Sequence, residues 1–270
     1  ASNNTAVGLN SLVANTTGTE NVAVGAGALT ANTTGSYNHA FGRNAGAAIT
    51  TGDTNIAIGN AALGTATTAD GNTAVGHSAL SANTSGSSNV GVGLNVLDAN
   101  TTGANNTAVG AASLGANTTA SSNTAVGKSA LAANTTGNYN TALGYRALTT
   151  TTAGNNTAVG HDALYLTTTG DANVAVGVGA LDANTTGANN TGLGWGALGL
   201  NTTGSDNVAI GRDSVRSNTT ASNNVGVGIN ALYANTTGGT NTAVGANSLD
   251  ANTTGAANTS LGNAALGANT

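Results

Sequence analysis

An all-β fold, a parallel β-solenoid (β-roll) of about sixteen coils with seventeen residues per coil, is what this sequence predicts. Three observations predict it. Asn recurs at 4, 21, 38, 55, 72, 89, 106, 123, 140, 156, 173, 190, 207, 224, 241 and 258, and only the step from Asn140 to Asn156 is 16 residues instead of 17. A short fixed period of this kind is the signature of stacked repeats. Forty-one Gly against one Phe, one Trp and no Met leave too few large side chains for a thick globular core. Proline is absent, as a parallel ladder that uses every backbone N–H requires.

Each copy is numbered from its Asn as position 1. Position 2 is Val, Ile or Thr except at His39, position 3 is only Ala, Gly or Ser, and position 4 is always apolar, from Val7 to Leu261. These three residues read as a short strand, with positions 2 and 4 inward and the small position 3 outward. Position 5 is Gly in every copy and predicts a turn at positive φ; Gly at position 15, replaced by Ala69, Ala120 and Ala221, predicts a second such turn at the opposite edge. Two strands and two turns would then close one coil. Position 9 is Leu except for Gly46 and Val215, and completes an expected core of positions 2, 4 and 9. The competing reading of the ALxAN segment is a single helical turn, disfavoured by its β-branched and Gly neighbours. Position 13 is Thr throughout.

Charged residues are 6% of the chain, with a formal net charge of −5. Arg43, Lys128, Arg212, His77 and His161 stand at position 6, Arg146, Asp162 and Asp213 at position 7, Asp98, Asp182, Arg216 and Asp250 at position 10, and Asp53, Asp70, Asp171, Glu20 and Asp206 at positions 16 and 17. An unpaired buried charge is costly, so these positions mark the solvated corners. Trp195, Tyr145, Tyr37, Tyr139, Tyr165 and Tyr233 share them. Stacking at about 4.8 Å per coil would bury continuous apolar files, let Asn and Thr side chains bond along the axis, and extend roughly 75 Å over sixteen coils. The flat strip expected at position 3 suggests association between chains. The chain starts and stops in mid-repeat, and we expect a single repeat domain over 1–270, a segment of a longer array.

The segments NVAVG, NIAIG, NTAVG and NVAIG at 21, 55, 72 and 207 resemble the SVAIG-type signature of the YadA-like head domain of trimeric autotransporter adhesins, with related repeats in phage tail fibres. The resemblance covers all sixteen copies; the coil here is longer, with an added ANTTG segment. It implies a left-handed β-roll, a homotrimer, and display outside a bacterial cell for attachment.

No catalytic, cofactor-binding or metal site is expected. Gly91-Val-Gly93 and Gly192-Leu-Gly194-Trp-Gly196 belong to the repeat and lead into no long helix, so they are not nucleotide loops. Nine scattered Asp do not make a calcium ladder, and the absence of Cys removes thiolate sites. His161 beside Asp162 is the one adjacent acid–base pair, read as solvated corner residues; His39 is read as a packing variation at an inward position. Asn15, Asn32, Asn83 and Asn100 head Asn-Thr-Thr or Asn-Thr-Ser glycosylation triplets that read better as a turn ladder. No basic cluster is present to grip nucleic acid, and no apolar run is long enough to insert in a membrane. The expected function is a non-catalytic extracellular or cell-surface fibre module, structural and adhesive, partnered by itself and by a host or environmental surface. Ice binding through Thr files at positions 13 and 14, and a self-assembling filament or sheath, are the alternatives.

Overall fold

The structure, a computed structural model, describes residues 1–269. It is an all-β solenoid with one three-residue strand in each of sixteen coils and no helix among the described residues. Two compact units make it up, Ala1–Asn138 and Tyr139–Thr270. In the first unit β1 (Thr5–Val7) to β8 (Thr124–Val126) follow one another in order and in parallel, position over position, as in Thr5↔Val22, Ala6↔Ala23 and Val7↔Val24. In the second unit β9 (Thr141–Leu143) to β16 (Thr259–Leu261) do the same. The strands fall at positions 2 to 4 as expected. The expected second strand is not there: turns and bends make up the rest of each coil.

The strand's inward face is the reverse of the expected one. Position 3 is buried, with Ala23, Ala40 and Ala57 at most 1% exposed, while positions 2 and 4 point out: Phe41 is 42% and Ile58 40% exposed. The reason is the narrowness of the coil. A Cβ added to Gly91 at position 3 would meet Val96 Cγ1 at 3.2 Å and Leu80 Cδ1 at 3.4 Å, so the position 9 leucine and the position 8 side chain already fill the space opposite. Only Ala, Gly or Ser fits beside them, which is why position 3 is small. The core is therefore Ala at 3, Ala or Ser at 8 and Leu at 9, with Asn at 1 and 12 buried among them.

Buried amides on that scale demand partners, and the stack supplies them. Oδ1 of each position 1 Asn accepts the backbone N–H of the next, as Asn4 does from Asn21 at 2.9 Å and Asn190 from Asn207 at 3.0 Å. In most coils its Nδ2 donates to the position 15 carbonyl of the same coil, Asn21 to Gly35 at 2.8 Å, and so ties the coil's start to its end; Asn72 Nδ2 turns to the Asp70 carbonyl instead, and Asn224 Nδ2 has no partner among the described residues. Position 12 adds a second ladder: Asn100 Nδ2 donates to Asn83 Oδ1 at 2.8 Å and to the Gly103 carbonyl at 3.0 Å. Thr hydroxyls at position 13 donate to the next coil's position 13 carbonyl, Thr16 to Thr33 at 2.9 Å.

Gly at position 5 takes φ of +126° to +144°, and a Cβ on Gly76 would stand 2.1 Å from the Gly93 carbonyl oxygen, so two independent constraints require glycine. At position 15 the expected positive φ is not found. Glycine serves there for space, since a Cβ on Gly35 would lie 2.4 Å from the Gly52 oxygen and 2.5 Å from Asn32 Oδ1. The left-handed turns fall instead at positions 7, 9 and 17, including Leu29 at φ 49° and Leu80 at 52°. Each such leucine carries roughly 1–2 kcal/mol of left-handed strain, held in place by burial worth about 2 kcal/mol.

The short coil loses no buried position. Asn140 Nδ2 reaches Ala153 O, and Thr152 N donates to Thr168 O at 2.9 Å, so the omitted residue is the one at position 14, which is exposed in the neighbouring coils. The register of Thr157↔Thr141 is preserved.

Candidate functional site

Positions 6, 7 and 10 lie on turns outside the strands, and repeats seventeen apart carry side chains at these positions past one another. In the second unit this face gathers most of its charges and aromatic rings. Arg146 makes a bidentate pair with Asp162, Nε to Oδ1 at 2.8 Å and Nη2 to Oδ2 at 2.5 Å. Its guanidinium also lies 5.1 Å from the Tyr145 ring centre and 4.6 Å from that of Tyr165, within cation–π range of both. The Tyr145 and His161 rings stand 5.3 Å apart. Further along, Arg216 donates to Asp213 at 2.6 Å and lies 5.4 Å from the Trp195 ring centre. Both guanidinium groups are held more firmly protonated than a free one, first by the hydrogen bond to the partner Asp.

Between these two pairs runs a groove of about 300 Å³ walled by His161, Asp182, Trp195, Leu200 and Arg216. Its floor is backbone, because Gly179 and Gly196 occupy position 7 and Gly199 position 10. Burial holds the Asp182 carboxyl above the usual carboxylate range, opposed by the backbone N–H groups of Ala183 and Asp182 and by Arg216. On the same face of the first unit lies a depression of about 670 Å³ lined by small residues, among them Asn44, Ala47, Ala61, Gly64, Thr65 and Ser81.

His161 Nδ1 lies 3.3 Å from Asp162 Oδ2, but that carboxylate is committed to Arg146. His39 is exposed, because position 2 faces outward; it is not an inward packing variant. Gly91 and Gly192 are mid-strand residues buried at position 3, and Gly93 and Gly194 are position 5 turn glycines, so neither segment forms an open phosphate cradle. Among the described residues no group of three or more His, Asp or Glu is placed to hold a metal ion, and no helix is long and apolar enough to cross a membrane. Asn32, Asn83 and Asn100 are fully buried with their amide nitrogens hydrogen-bonded, so these triplets act as a turn ladder in the folded chain.

The charged and aromatic residues stand at the corners where charge patterning puts them. Their gathering on one face was missed, although a signal existed: Arg146, Asp162, Tyr165, Asp182, Trp195 and Arg216 all stand at positions 6, 7 or 10 of five successive coils.

No family model matches this chain, and no curated protein matches it. The resemblance to YadA-like heads is carried by the NVAVG-type residues alone.

Proposed function

We propose that this chain is a non-catalytic structural and adhesive module of an extracellular fibre, a left-handed roll that associates with two copies of itself through the outward face of its sheet. The single observation behind this reading is that face. Position 4 is apolar in all sixteen copies yet points to solvent, with Val92 36%, Val109 37%, Val176 39% and Ile210 39% exposed. Val, Ile or Thr stands beside it at position 2. An apolar file repeated along the outer face of the sheet in each unit is what a partner chain covers. Burying the open half of each such side chain contributes about 1 kcal/mol per coil, and the files multiply that along the stack. The small residues of position 3 present no strip for association, since they lie inside.

Sedimentation equilibrium at low micromolar concentration tests this. A trimer is expected, and Val92→Lys with Val109→Lys should reduce it to monomers while circular dichroism is unchanged. A monomeric wild-type chain would overturn the association, and an open-ended series of species would point to a self-assembling filament.

One observation favours ice binding as a second reading. Position 14 forms an exposed file of Thr17, Thr34, Thr51, Thr68, Ser85, Thr102, Thr119 and Thr136, while the position 13 hydroxyls are spent on backbone carbonyls. Thermal hysteresis in the purified chain separates the readings, because a plain fibre module shows none.

A further inference from the structure

The groove beside Trp195 has features that the fold does not require. Position 7 adopts φ of 50–60° with Ala112, Ser129 or Asn95 as well, so the left-handed φ of 63° at Gly179 and Gly196, although eased by glycine, does not oblige it. Position 10 has ordinary φ in every coil, and Gly199 is equally unforced. Gly179 leaves room, since a Cβ there would meet nothing nearer than Asp182 Oδ2 at 3.9 Å; the space over Gly196 is taken by the Asp213–Arg216 pair, 2.8 Å and 3.2 Å from where its Cβ would stand, so glycine there lets that pair lie flat against the backbone and form the wall. The chain's only tryptophan stands over that room, 51% exposed. An open indole on a water-facing corner costs solvation free energy unless something covers it.

The charges select the occupant. Arg146 pairs with Asp162, while Arg216 and Arg212 both reach Asp213, so the three guanidinium groups of this face balance its three carboxylates, Asp182 included, and the walls carry little net field. Asp182 forms no ion pair among the described residues, and its carboxylate oxygens remain as acceptors for hydroxyl donors. His161, at about half exposure, supplies a ring nitrogen on the same wall. An apolar plate beside an acceptor that is in no ion pair suits a molecule with C–H faces and O–H edges. The groove runs over four successive coils, roughly 14 Å at the strand spacing, long enough for an oligosaccharide. We propose that this groove binds a neutral oligosaccharide, with the Trp195 indole against a pyranose C–H face and Asp182 and His161 taking hydroxyl groups. The assignment goes beyond the fibre reading and holds whether the chain sediments as a monomer or a trimer.

The repeat provides its own structural controls. Ala stands at position 6 in Ala26, Ala111 and Ala246, Ala at position 10 in Ala47 and Ala132, and Ser at position 7 in Ser78 and Ser129. Trp195→Ala, Asp182→Ala and Gly179→Ser therefore place in this coil face residues that the fold already accepts. Because Trp195 is the only tryptophan, its emission reports on this groove. The full chain is titrated with cellohexaose, maltohexaose, mannohexaose, xylohexaose and chitohexaose, with hexagalacturonate and spermine as charged probes. A saturable emission shift with at least one neutral hexasaccharide is expected, weakened about ten-fold or more in Asp182→Ala and Gly179→Ser and unchanged in Asn95→Ala of the first unit. Trp195→Ala should likewise lose retardation in a gel holding the polymer of the responding sugar. No shift with any neutral probe, a shift that survives both substitutions, or a response confined to hexagalacturonate or spermine would overturn the proposal.

Discussion

The first unit, Ala1–Asn138, and the second, Tyr139–Thr270, build the same coil and furnish its position 7 and 10 face in opposite ways. Small residues line it in the first, Asn44, Ala47, Ala61 and Ser81; charged pairs and aromatic rings line it in the second. Each unit also breaks its position 12 Asn ladder once, for two coils. The first breaks it with apolar Ile49 and Ala66, the second with Thr151 and Thr167. Stacking thus governs the inside almost residue by residue, because every buried atom is copied one coil up, whereas the corners carry no such constraint and are where the two units diverge.

The largest expected effect tests the inside. Asn106 receives the N–H of Asn123 at 3.0 Å and donates to Asn89 Oδ1 and the Ala120 carbonyl; Asn190 does the same with Asn207, Asn173 and Gly204. Asn106→Ala and Asn190→Ala each strand a buried N–H and a buried carbonyl, at a cost of about 3 kcal/mol. Equal losses in hydrogen-exchange protection around the two sites are expected. A clear inequality would mean that the two interiors are not equivalent.

Next comes the defect peculiar to the first unit. Gly46 replaces the position 9 leucine and Ile49 the position 12 asparagine, and the two changes compensate: Ile49 Cδ1 lies 3.0 Å from where a Gly46 Cβ would stand. The exchange leaves Asn32 Oδ1 without a hydrogen-bond partner, since the coil above offers no amide. Gly46→Leu should overpack this layer and cost about 2 kcal/mol. Gly46→Leu with Ile49→Asn restores the usual pair and should recover that loss, with Asn32 gaining a donor. Thermal melts of the two single changes and the double form a cycle; an additive double would show that the swap is not compensatory.

These two sites also show what could be read beforehand. The period, the strand at positions 2 to 4, the position 5 turn and the solvated corners follow from residue types alone, because charge and glycine report directly on solvent and on φ. The strand's inner face does not. Large apolar residues at 4 and small ones at 3 suggest burial of the larger pair, and only the cross-section, already filled by Leu29 or Leu80 and by two Asn per coil, shows that Val and Ile are turned outward. The left-handed leucines were equally hidden, since nothing in a leucine announces φ near 50°. The groove was legible residue by residue but not as a group, because knowing that positions 6, 7 and 10 share a face requires the path of the turns.

The smallest effect sharpens the comparison at a position both units share. Asp98 and Asp182 each stand at position 10, and burial holds both carboxyls above the usual range, with backbone N–H groups pulling the other way. Asp182 lies deeper, although Arg216 partly offsets its burial. A raised pKa in the folded chain means that the folded state binds the proton more tightly, so the ionised side chain opposes folding. Below about pH 4 both states are protonated and the cost is absent; it grows as pH rises through the carboxylate range and is fully present above the folded-state value. Asp182→Asn should therefore match the wild-type chain at acid pH and exceed it in stability at neutral pH. Asp98→Asn should show the same crossover with a smaller gain, because its more open carboxylate is better solvated. Urea midpoints measured across the acid range read both curves. A wild-type chain that gains stability relative to Asp182→Asn as pH rises would mean that Arg216 and the backbone donors outweigh burial there, and that the second unit's furniture stabilises its own carboxylate.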